Sequence, residues 1–237
     1  MKLTQVDLFS GIGGFALGGR MAGLNLIGLC ESFPYCQSVL SERFPGVPIV
    51  TEVQDVVEKP PKAWVGCTVL TGGSPFDANE LVDRGDGGDA QSLWPLFLAA
   101  VRSLRPLWVV HETFPRFLRT TREHPASDLR AHDYHGTWIL LPSGPFDCPG
   151  RKDRLFLVAT RGSNTGLPRD GAPGADRIQR SRWQAPFPGL SRVDERLPEG
   201  LDTHAVRLQA LGNATLPQSA AFLLGLIAST ELDWNHS

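Results

Sequence analysis

Short apolar runs alternate along the chain with segments of helical periodicity, and turns that contain glycine or proline separate them. The apolar runs predict strands at residues 3–9, 24–31, 48–53, 67–71, 106–110, 138–141 and 155–160. The helical spacing predicts helices at residues 14–22, 34–44, 92–104, 114–122, 205–211 and 217–227. Strand and helix in alternation predict an α/β fold with a doubly wound parallel sheet that is covered by helices on both faces.

One long segment interrupts this alternation. Between residues 161 and 200, Gly, Pro, Arg and Asp dominate and apolar runs are scarce. A segment of this length without secondary structure inside a compact domain usually serves a function or is disordered. We therefore divide the chain into a core at residues 1–160, a short irregular segment at residues 161–203, and a helical region at residues 204–237 that completes the core.

A glycine turn directly follows the first predicted strand and leads into the first predicted helix. Gly11, Gly13 and Gly14 let the backbone pass close to a ligand, and a helix that begins near Phe15 directs its positive end toward it. A glycine turn alone is shared by many nucleotide-binding proteins. The complete string that starts at Asp7, DLFSGIGGF, is far more specific, and it resembles the loop that holds S-adenosylmethionine in the DNA cytosine-5 methyltransferases.

This resemblance implies a Rossmann-like methyltransferase fold with S-adenosylmethionine bound beyond the carboxyl ends of the strands. The family pattern implies that Phe9 stacks on the adenine and that Glu31 accepts hydrogen bonds from both ribose hydroxyls. Glu52 stands in the place of the acceptor for the adenine amine, and Asp55 is a nearby competitor for that role.

The methionine side of the cofactor is implied by two further segments. Leu93 and Trp94 would line it, and Asn213 would fix it, because residues 212–217 resemble the Gly-Asn-Ala-Val-Pro-Pro motif that closes the family's core. The cofactor-binding residues predicted in this way are Asp7, Phe9, Ser10, Gly11, Gly13, Gly14, Phe15, Glu31, Ser32, Glu52, Val53, Gly73, Pro75, Leu93, Asn213 and Ala214.

Two segments resemble the parts of the family that contact the base. The string HETFPRF resembles the Glu-Asn-Val segment, in which the glutamate hydrogen-bonds N3 and the amino group of a flipped cytosine, so the resemblance implies this role for Glu112. Thr113 replaces the Asn of that segment. The string GRKDR resembles Gln-x-Arg-x-Arg and keeps only its last arginine, Arg154, which would brace the base and the adjacent phosphate.

The nucleophile of the family is absent from the loop at residues 71–77, TGGSPFD. In the family this loop reads Gly-Gly-x-Pro-Cys-Gln. Its cysteine thiolate adds to carbon 6 of cytosine so that carbon 5 can attack the sulfonium methyl group. Phe76 stands in the position of that cysteine and has no lone pair with which to form the covalent bond. Asp77 in place of Gln is a second change in the same loop.

Three interpretations of this loop stay open. Cys148 lies in a loop that should face the same pocket, so it is a candidate displaced nucleophile. RNA cytosine-5 methyltransferases resemble such a case, since they take their cysteine from a different loop of a similar fold. The alternative role of Cys148 is that of a small buried hydrophobe. Alternatively, the segment around Pro75 and Phe76 resembles a shortened Ser/Asp-Pro-Pro-aromatic loop of amino methyltransferases, which implies methylation of the exocyclic N4 of cytosine. Finally, the chain could be a pseudoenzyme that binds DNA or regulates an active partner subunit.

The formal net charge of −2 does not indicate a nucleic-acid substrate, but the distribution of charge along the chain does. Residues 1–100 contain 6 Lys and Arg against 11 Asp and Glu, and residues 101–200 contain 16 against 11. Fifteen of those 16 cations are arginines, which suit contacts to phosphates and bases. Residues 161–204 correspond to the target-recognition region of the family, and they are so few that we expect a short or relaxed DNA target, as in compact phage-type members, or dependence on a partner chain.

The remaining composition argues against metal and membrane sites. The cysteines, Cys30, Cys36, Cys67 and Cys148, lack metal-like spacing, so we expect free thiols and no metal. No signal peptide is recognisable, and no segment reaches the roughly 18 apolar residues of a membrane helix. We therefore expect a cytoplasmic protein of a bacterium or a phage-infected cell. It would act on cytosine in DNA with S-adenosylmethionine, by a variant mechanism.

Overall fold

The structure of the protein is a computed structural model that describes residues 2–73, 93–113, 124–142, 153–161 and 214–234. Within them, strands β1 to β7 span Thr4–Leu8, Asn25–Cys30, Ile49–Val50, Val69–Gly73, Trp108–Thr113, Tyr134–Leu141 and Arg154–Arg161. Helices α1 to α6 span Gly14–Met21, Pro34–Arg43, Val53–Glu58, Trp94–Leu104, Pro125–Arg130 and Pro217–Trp234. These elements confirm the predicted α/β class. Among the helices of these segments, none is both long and apolar enough to cross a membrane.

The strands form one sheet in the order β3-β2-β1-β4-β5-β7-β6. Strands β1 to β5 are all parallel to one another, so their carboxyl ends share one edge. The chain builds the sheet outward from β1 in both directions, and ligands of open α/β sheets bind at such a switch point. The register places Asp7 beside Thr71 and Gly73 beside Glu112, so the ends of β1, β4 and β5 meet at one site.

The prediction of a wholly parallel sheet was wrong at one side. β7 lies between β5 and β6 and runs antiparallel to both. β6 ends at Leu141 and β7 begins at Arg154, and antiparallel neighbours need no crossover connection between them. An interior strand is buried on both faces in either direction, so the apolar run at residues 155–160 does not reveal the antiparallel pairing.

Helices cover both faces of the sheet. On one face, Val53 and Val56 of α3 and Phe97 of α4 join a core cluster with the strands. On the other face, Phe15 of α1 and Leu224 of α6 pack against β5 and β7. The two hydrophobic layers hold the sheet rigid, so the residues that follow its strands are fixed in position.

The boundaries of several elements differ from those predicted. Val53, which the apolar run assigned to the third strand, begins α3, because β3 pairs with β2 over only two residues before the chain leaves the sheet. The pattern predicted neither α3 nor α5. Strands β4 and β5 begin and end later than predicted, so Gly73 and Glu112 lie in strand ends. The helices predicted at residues 114–122 and 205–211 lie outside the described residues.

Candidate functional site

The turn between β1 and α1 has the backbone geometry of a ligand loop. Phe9, Gly11 and Gly13 have positive φ angles of 52°, 53° and 89°. This region is unfavourable for a residue with a side chain, so its use at Phe9 marks a constrained turn. Ser10 fastens the turn because its Oγ donates to the carbonyl oxygen of Asp7 at 2.8 Å. A Cβ on Gly11 would have no other heavy atom of the described residues within 4 Å, so the turn is open with respect to them.

Glu31 lies beside this turn, directly after β2. Its Oε2 accepts a hydrogen bond from the backbone N–H of Gly11 at 2.7 Å, and its Oε1 accepts one from Phe33 at 2.8 Å. Each carboxylate oxygen has a second lone pair, so further donors can still bind. Ser32, the next residue, is exposed. Glu31 is therefore held beside the turn, and its carboxylate oxygens can still accept hydrogen bonds from a ligand.

Carboxylates concentrate around the ends of β1, β2 and β3. Burial raises the pKa of the Cys30 thiol to about 12, and the negative charges of nearby acids add to this shift. These acids are Glu31, Glu52, Asp55 and Asp7, in decreasing order of effect. Glu52 is exposed and precedes α3 without a side-chain capping bond. The edge of the sheet consequently has a negative potential, which suits a cationic ligand.

Asp7 is fully buried in β1, below the turn. Its Oδ1 accepts a hydrogen bond from Thr71 Oγ1 at 2.6 Å, and Gln5 Nε2 donates to the same Thr71 oxygen at 3.1 Å. In the described part of the chain, Asp7 Oδ2 has no hydrogen-bond partner. Burial raises the pKa of Asp7 to about 7, although the hydrogen bonds from Thr71 and Ser10 act in the opposite direction. Oδ2 is therefore a buried acceptor beside the turn.

Glu112 lies near the carboxyl end of β5 and is 5% exposed. Arg154, the first residue of β7, forms an ion pair with Glu112, and its Nε lies 2.8 Å from Oε1. Thr215 donates from its Oγ1 to Glu112 Oε2. A Cβ on Gly73 would lie 3.3 Å from Oε2, so the strand end that leads into the loop at residues 74–77 adjoins the carboxylate. The fold thus brings together Glu112 and Arg154, which are far apart in the sequence.

A match to a protein-family model shows which family the chain belongs to. Residues 3–192 match the model of the C-5 cytosine-specific DNA methylase. The chain belongs to the C-5 cytosine-specific DNA methylase family. The matched range contains the glycine turn, Glu112 and Arg154, and it confirms the resemblance seen in the string DLFSGIGGF.

Relatives of this DNA methylase family include two curated type II methyltransferases. M2.BsuMI of Bacillus subtilis (strain 168) is 30% identical over 168 residues, which cover 67% of this chain and 42% of that protein. M.DdeI of Desulfomicrobium norvegicum is 26% identical over 171 residues, which cover 67% of this chain and 41% of that protein. The chain therefore spans about two fifths of the length of the curated relatives it matches.

Solved structures share the fold of this chain. A mutant of Spodoptera frugiperda DNMT2 has a TM-score of 0.57 and 17% identity, over 71% of this chain and 54% of that chain. Dnmt2 of S. pombe has a TM-score of 0.55 and 16% identity, over 69% of this chain and 52% of that chain. This likeness shows the α/β fold of S-adenosylmethionine-dependent methyltransferases and confirms the predicted fold class.

Some residues that the DNA methylase pattern assigns to the site form its walls. Phe15 is buried and packs edge to face on Phe156, with ring centroids 6.1 Å apart. Val53 is buried in the core, and Ala214 packs against the cluster that contains Ile12. Leu93 is half-buried directly before α4. The side chains of Phe15 and Val53 therefore support the site from within the core.

His111, beside Glu112, is a buried neutral residue. Burial lowers its pKa to about 3. Its ring lies 5.1 Å from that of Trp94 and 4.9 Å from that of Phe97. Trp94 is buried in turn and donates from its indole Nε1 to Asp128 Oδ2 at 2.8 Å. Trp94 thus links α4 to α5, a role that the family pattern did not indicate.

Four of the predicted site residues lie outside the described residues. They are Pro75, Phe76, Cys148 and Asn213. Their places relative to Glu112 stay predictions.

Three residues of the site were missed in the sequence. Gln5 and Thr71 are polar residues inside strands that are otherwise apolar, and this contrast is the local signal that could have indicated their buried bonds to the site. Thr215 stands where the family's closing motif has Val, and this change is the signal for a new polar contact.

Proposed function

We propose that the chain binds S-adenosylmethionine at the carboxyl ends of β1 to β3, binds a flipped cytosine of DNA at Glu112, and transfers a methyl group to that cytosine without a thiol at position 76. The observation that carries this proposal is the pairing of Glu112 with Arg154, 2.8 Å apart, at the same edge of the sheet as the glycine turn. Family membership supports both ligands, since the matched model describes cytosine-specific DNA methylases.

The residues of the turn fit this cofactor. S-adenosylmethionine carries a positive sulfonium and an ammonium group, and when bound it supplies an electrophilic methyl group. Glu31 and Glu52 provide acceptors for the adenosine half, and the negative potential around Cys30 favours the positive charges. The buried Oδ2 of Asp7 offers an acceptor on the side of the turn, and the space above Gly11, which is open with respect to the described residues, lets a ligand approach the backbone.

Glu112 is suited to read cytosine. Its carboxylate can accept a hydrogen bond from the exocyclic amine, which thymine and uracil lack at the same position. Arg154 and Thr215 each contact one of the two oxygens, and these contacts orient the carboxylate for a base. Arg154 is also a donor near the edge of the site, where a phosphate of the flipped nucleotide would lie.

The route of methyl transfer depends on which atom replaces the family's thiol. Burial raises the pKa of Cys30, Cys36 and Cys67 to about 12 each, so none of these three supplies a thiolate at neutral pH. Cys148 is the remaining cysteine of the chain. Transfer to carbon 5 therefore requires Cys148, whereas transfer to the exocyclic N4 requires no thiol.

A second candidate function is a DNA-binding or regulatory protein without methyl transfer. Phe76 at the position of the nucleophile and the unreactive environment of the three described thiols favour it. Such a protein would act beside a partner subunit. The arginine-rich residues 161–203 would contribute to DNA contact whether or not the chain transfers a methyl group.

The test combines cofactor binding with identification of the product. Calorimetry with S-adenosylhomocysteine measures the cofactor site, and no binding removes the proposal altogether. The protein is then incubated with S-adenosylmethionine that carries a labelled methyl group and with duplex DNA of varied sequence, and the DNA is digested to nucleosides for mass spectrometry. 5-Methylcytosine that disappears with Cys148→Ser identifies the displaced thiol, and N4-methylcytosine identifies amine transfer. Cofactor binding without labelled DNA supports the regulatory candidate.

The control for this experiment is Glu112→Gln. The amide keeps the shape of the side chain but replaces one acceptor oxygen with a donor, so it mismatches the amine of cytosine. We expect any methyl transfer to fall by two orders of magnitude or more, roughly the contribution of a positioned acid–base group. Binding of S-adenosylhomocysteine should stay within about twofold, since Glu112 contacts Arg154 and Thr215 rather than the glycine turn.

A further inference from the structure

Thr215 lies where three parts of the site meet. Its hydroxyl donates to Glu112 Oε2. A Cβ on Gly14, the first residue of α1, would overlap the carbonyl oxygen of Thr215, so the glycine turn and the backbone of Thr215 are in direct contact. A Cβ on Gly73 would lie 3.8 Å from Thr215 Oγ1. Thr215 is 8% exposed, so these contacts are shielded from water.

The hydroxyl is a departure of this chain from the motif that it resembles. The family's closing motif reads Gly-Asn-Ala-Val-Pro-Pro, and residues 212–217 read Gly-Asn-Ala-Thr-Leu-Pro, so Thr215 replaces Val. Valine has nearly the same shape as threonine but cannot donate a hydrogen bond. Hydrogen bonds to a charged acceptor are among the stronger ones in proteins. The replacement therefore adds a strong, buried link to Glu112 that a valine cannot make.

The two oxygens of Glu112 are held from different parts of the fold. Arg154 contacts Oε1 from β7, and this ion pair does not involve the glycine turn. Thr215 reaches Oε2 from the segment that packs against Gly14. A ligand that orders the glycine turn also orders the backbone of Thr215, and the hydroxyl then restrains Oε2. Two ligands that order the same residues bind with positive cooperativity, because the second one loses less conformational entropy.

We propose that Thr215 is a positioning residue that couples cofactor binding at the glycine turn to base binding at Glu112. This inference rests on the proposed function, since it requires both ligands. It goes further in assigning the coupling to one hydroxyl. Cytosine is then bound more tightly when the cofactor is present, and the coupling is reciprocal.

The test measures a ratio of two affinities. The probe is a short fluorescent duplex in which one cytosine faces an abasic site, since an unpaired base is extruded at low cost. Its affinity is measured with saturating S-adenosylhomocysteine and without it, for the wild type, Thr215→Val and Thr215→Ser. We expect a ratio of about fivefold or more in the wild type and in Thr215→Ser, which keeps the hydroxyl. In Thr215→Val the ratio should fall to within about twofold of one.

A merely structural role of Thr215 predicts a different result. Loss of packing or stability lowers both affinities and leaves their ratio unchanged. Thr68→Val is the matched control, because Thr68 is similarly buried, at 9% exposure, but precedes β4 at the opposite edge of the sheet. It should keep the wild-type ratio. If Thr215→Val does not fold, Thr215→Ala takes its place in the comparison.

Two outcomes overturn the proposal. One is a wild-type ratio close to one, and the other is the same ratio in the wild type and Thr215→Val. Calorimetry of the wild type with S-adenosylhomocysteine alone and titration with the DNA probe alone distinguish the two levels of failure. Absence of either binding removes the proposed function itself. Binding of both ligands with an unchanged ratio removes only the role of Thr215.

Discussion

Asp7 is an acidic side chain that folding withdraws completely from water. Thr71 donates one hydrogen bond to it at 2.6 Å, but this is not enough to keep it ionised at acidic pH, and its pKa rises to about 7. Burial is the main cause, and the charges of Glu31 and Glu112 add repulsion. An acid whose pKa is raised by folding destabilises the native state once it loses its proton. A residue kept at such a cost is typical of a ligand site.

We predict that Asp7→Asn removes a pH-dependent part of the free energy of unfolding. The native protein binds the Asp7 proton with a pKa of about 7, compared with 3.8 for the free side chain. The favourable contribution of the protonated acid is therefore complete below about pH 4 and is lost as the pH rises to about 7. One pKa unit is worth about 1.4 kcal/mol, so the loss is on the order of 4 kcal/mol. Urea unfolding at several pH values measures it.

The amide in Asp7→Asn keeps the acceptor for Thr71 but has no charge, so its stability should vary less with pH than that of the wild type. Glu58→Gln, at an exposed position in α3, serves as the control and should follow the wild type. Equal slopes for the wild type and Asp7→Asn between about pH 4 and pH 7 would show that Asp7 titrates as it does in water.

The sequence reveals those site residues that belong to a local motif. Glu112 and Arg154 each stand in a short string that resembles a family segment, and the structure joins them. Gln5 and Thr71 act through a bond between residues 66 positions apart, and Thr71 and Asp7 are 64 apart. No pattern within one strand encodes such a pair, so these contacts could not be predicted. They depend on the register of β1 with β4.

At the scale of elements, periodicity predicts which segments form strands and helices better than it predicts their direction. The apolar run in β7 identified a buried strand, but nothing in that run indicates its antiparallel pairing with β5 and β6. The start of α3 was assigned to a strand because Val53 continues the apolar run of β3. Val53 and Val56 have the i, i+3 spacing of a helix face. A single pair with this spacing is a weaker sequence signal than the apolar run that precedes it, so the pattern favoured a strand.

Close packing of α1 against α6 leads to a prediction about Gly18. A Cβ at this position would lie 2.5 Å from Ala220 Cβ and 2.8 Å from the carbonyl oxygen of Pro217. Alanine favours a helix by about 1 kcal/mol over glycine, but overpacking costs about 1–3 kcal/mol. We therefore expect Gly18→Ala to lower the free energy of unfolding by up to about 2 kcal/mol, as measured in urea. Adding Ala220→Gly removes one of the close contacts, so the double variant should be more stable than the sum of the two single losses implies.

The outcome of this pair of variants separates packing from helix propensity. If helix propensity decided the effect, Gly18→Ala would stabilise the protein, and Ala220→Gly would destabilise it by a similar amount. Partial rescue in the double variant requires that the two positions share one contact, since independent sites are additive. An additive loss would therefore contradict the packing of α1 on α6 through Gly18.

At the scale of the whole molecule, the charge asymmetry of the sequence matches the proposed ligands. The acidic first hundred residues contain the site that surrounds Cys30 with carboxylates, which suits a cationic cofactor. The arginines are concentrated in the following hundred residues, which suit an anionic nucleic acid. A near-neutral net charge therefore results from two opposite fields, and the composition alone conceals both.

The four cysteines provide the last prediction for the whole chain. Cys30, Cys36 and Cys67 are buried, and burial raises the pKa of each to about 12. A thiol reacts as its thiolate, so we expect these three to resist iodoacetamide in the native protein and all four cysteines to react after unfolding. Peptide mapping by mass spectrometry should therefore find any rapid native modification at Cys148 alone.

Modification of Cys30, Cys36 or Cys67 at the rate of a free thiol would contradict their burial. Protection of Cys148 by S-adenosylhomocysteine would favour its role as a displaced nucleophile, because a thiol that attacks cytosine must lie beside the methyl donor. A Cys148 that reacts equally with and without the cofactor lies away from the donor. Transfer to carbon 5 would then have no nucleophile in this chain, which leaves amine transfer or binding without chemistry.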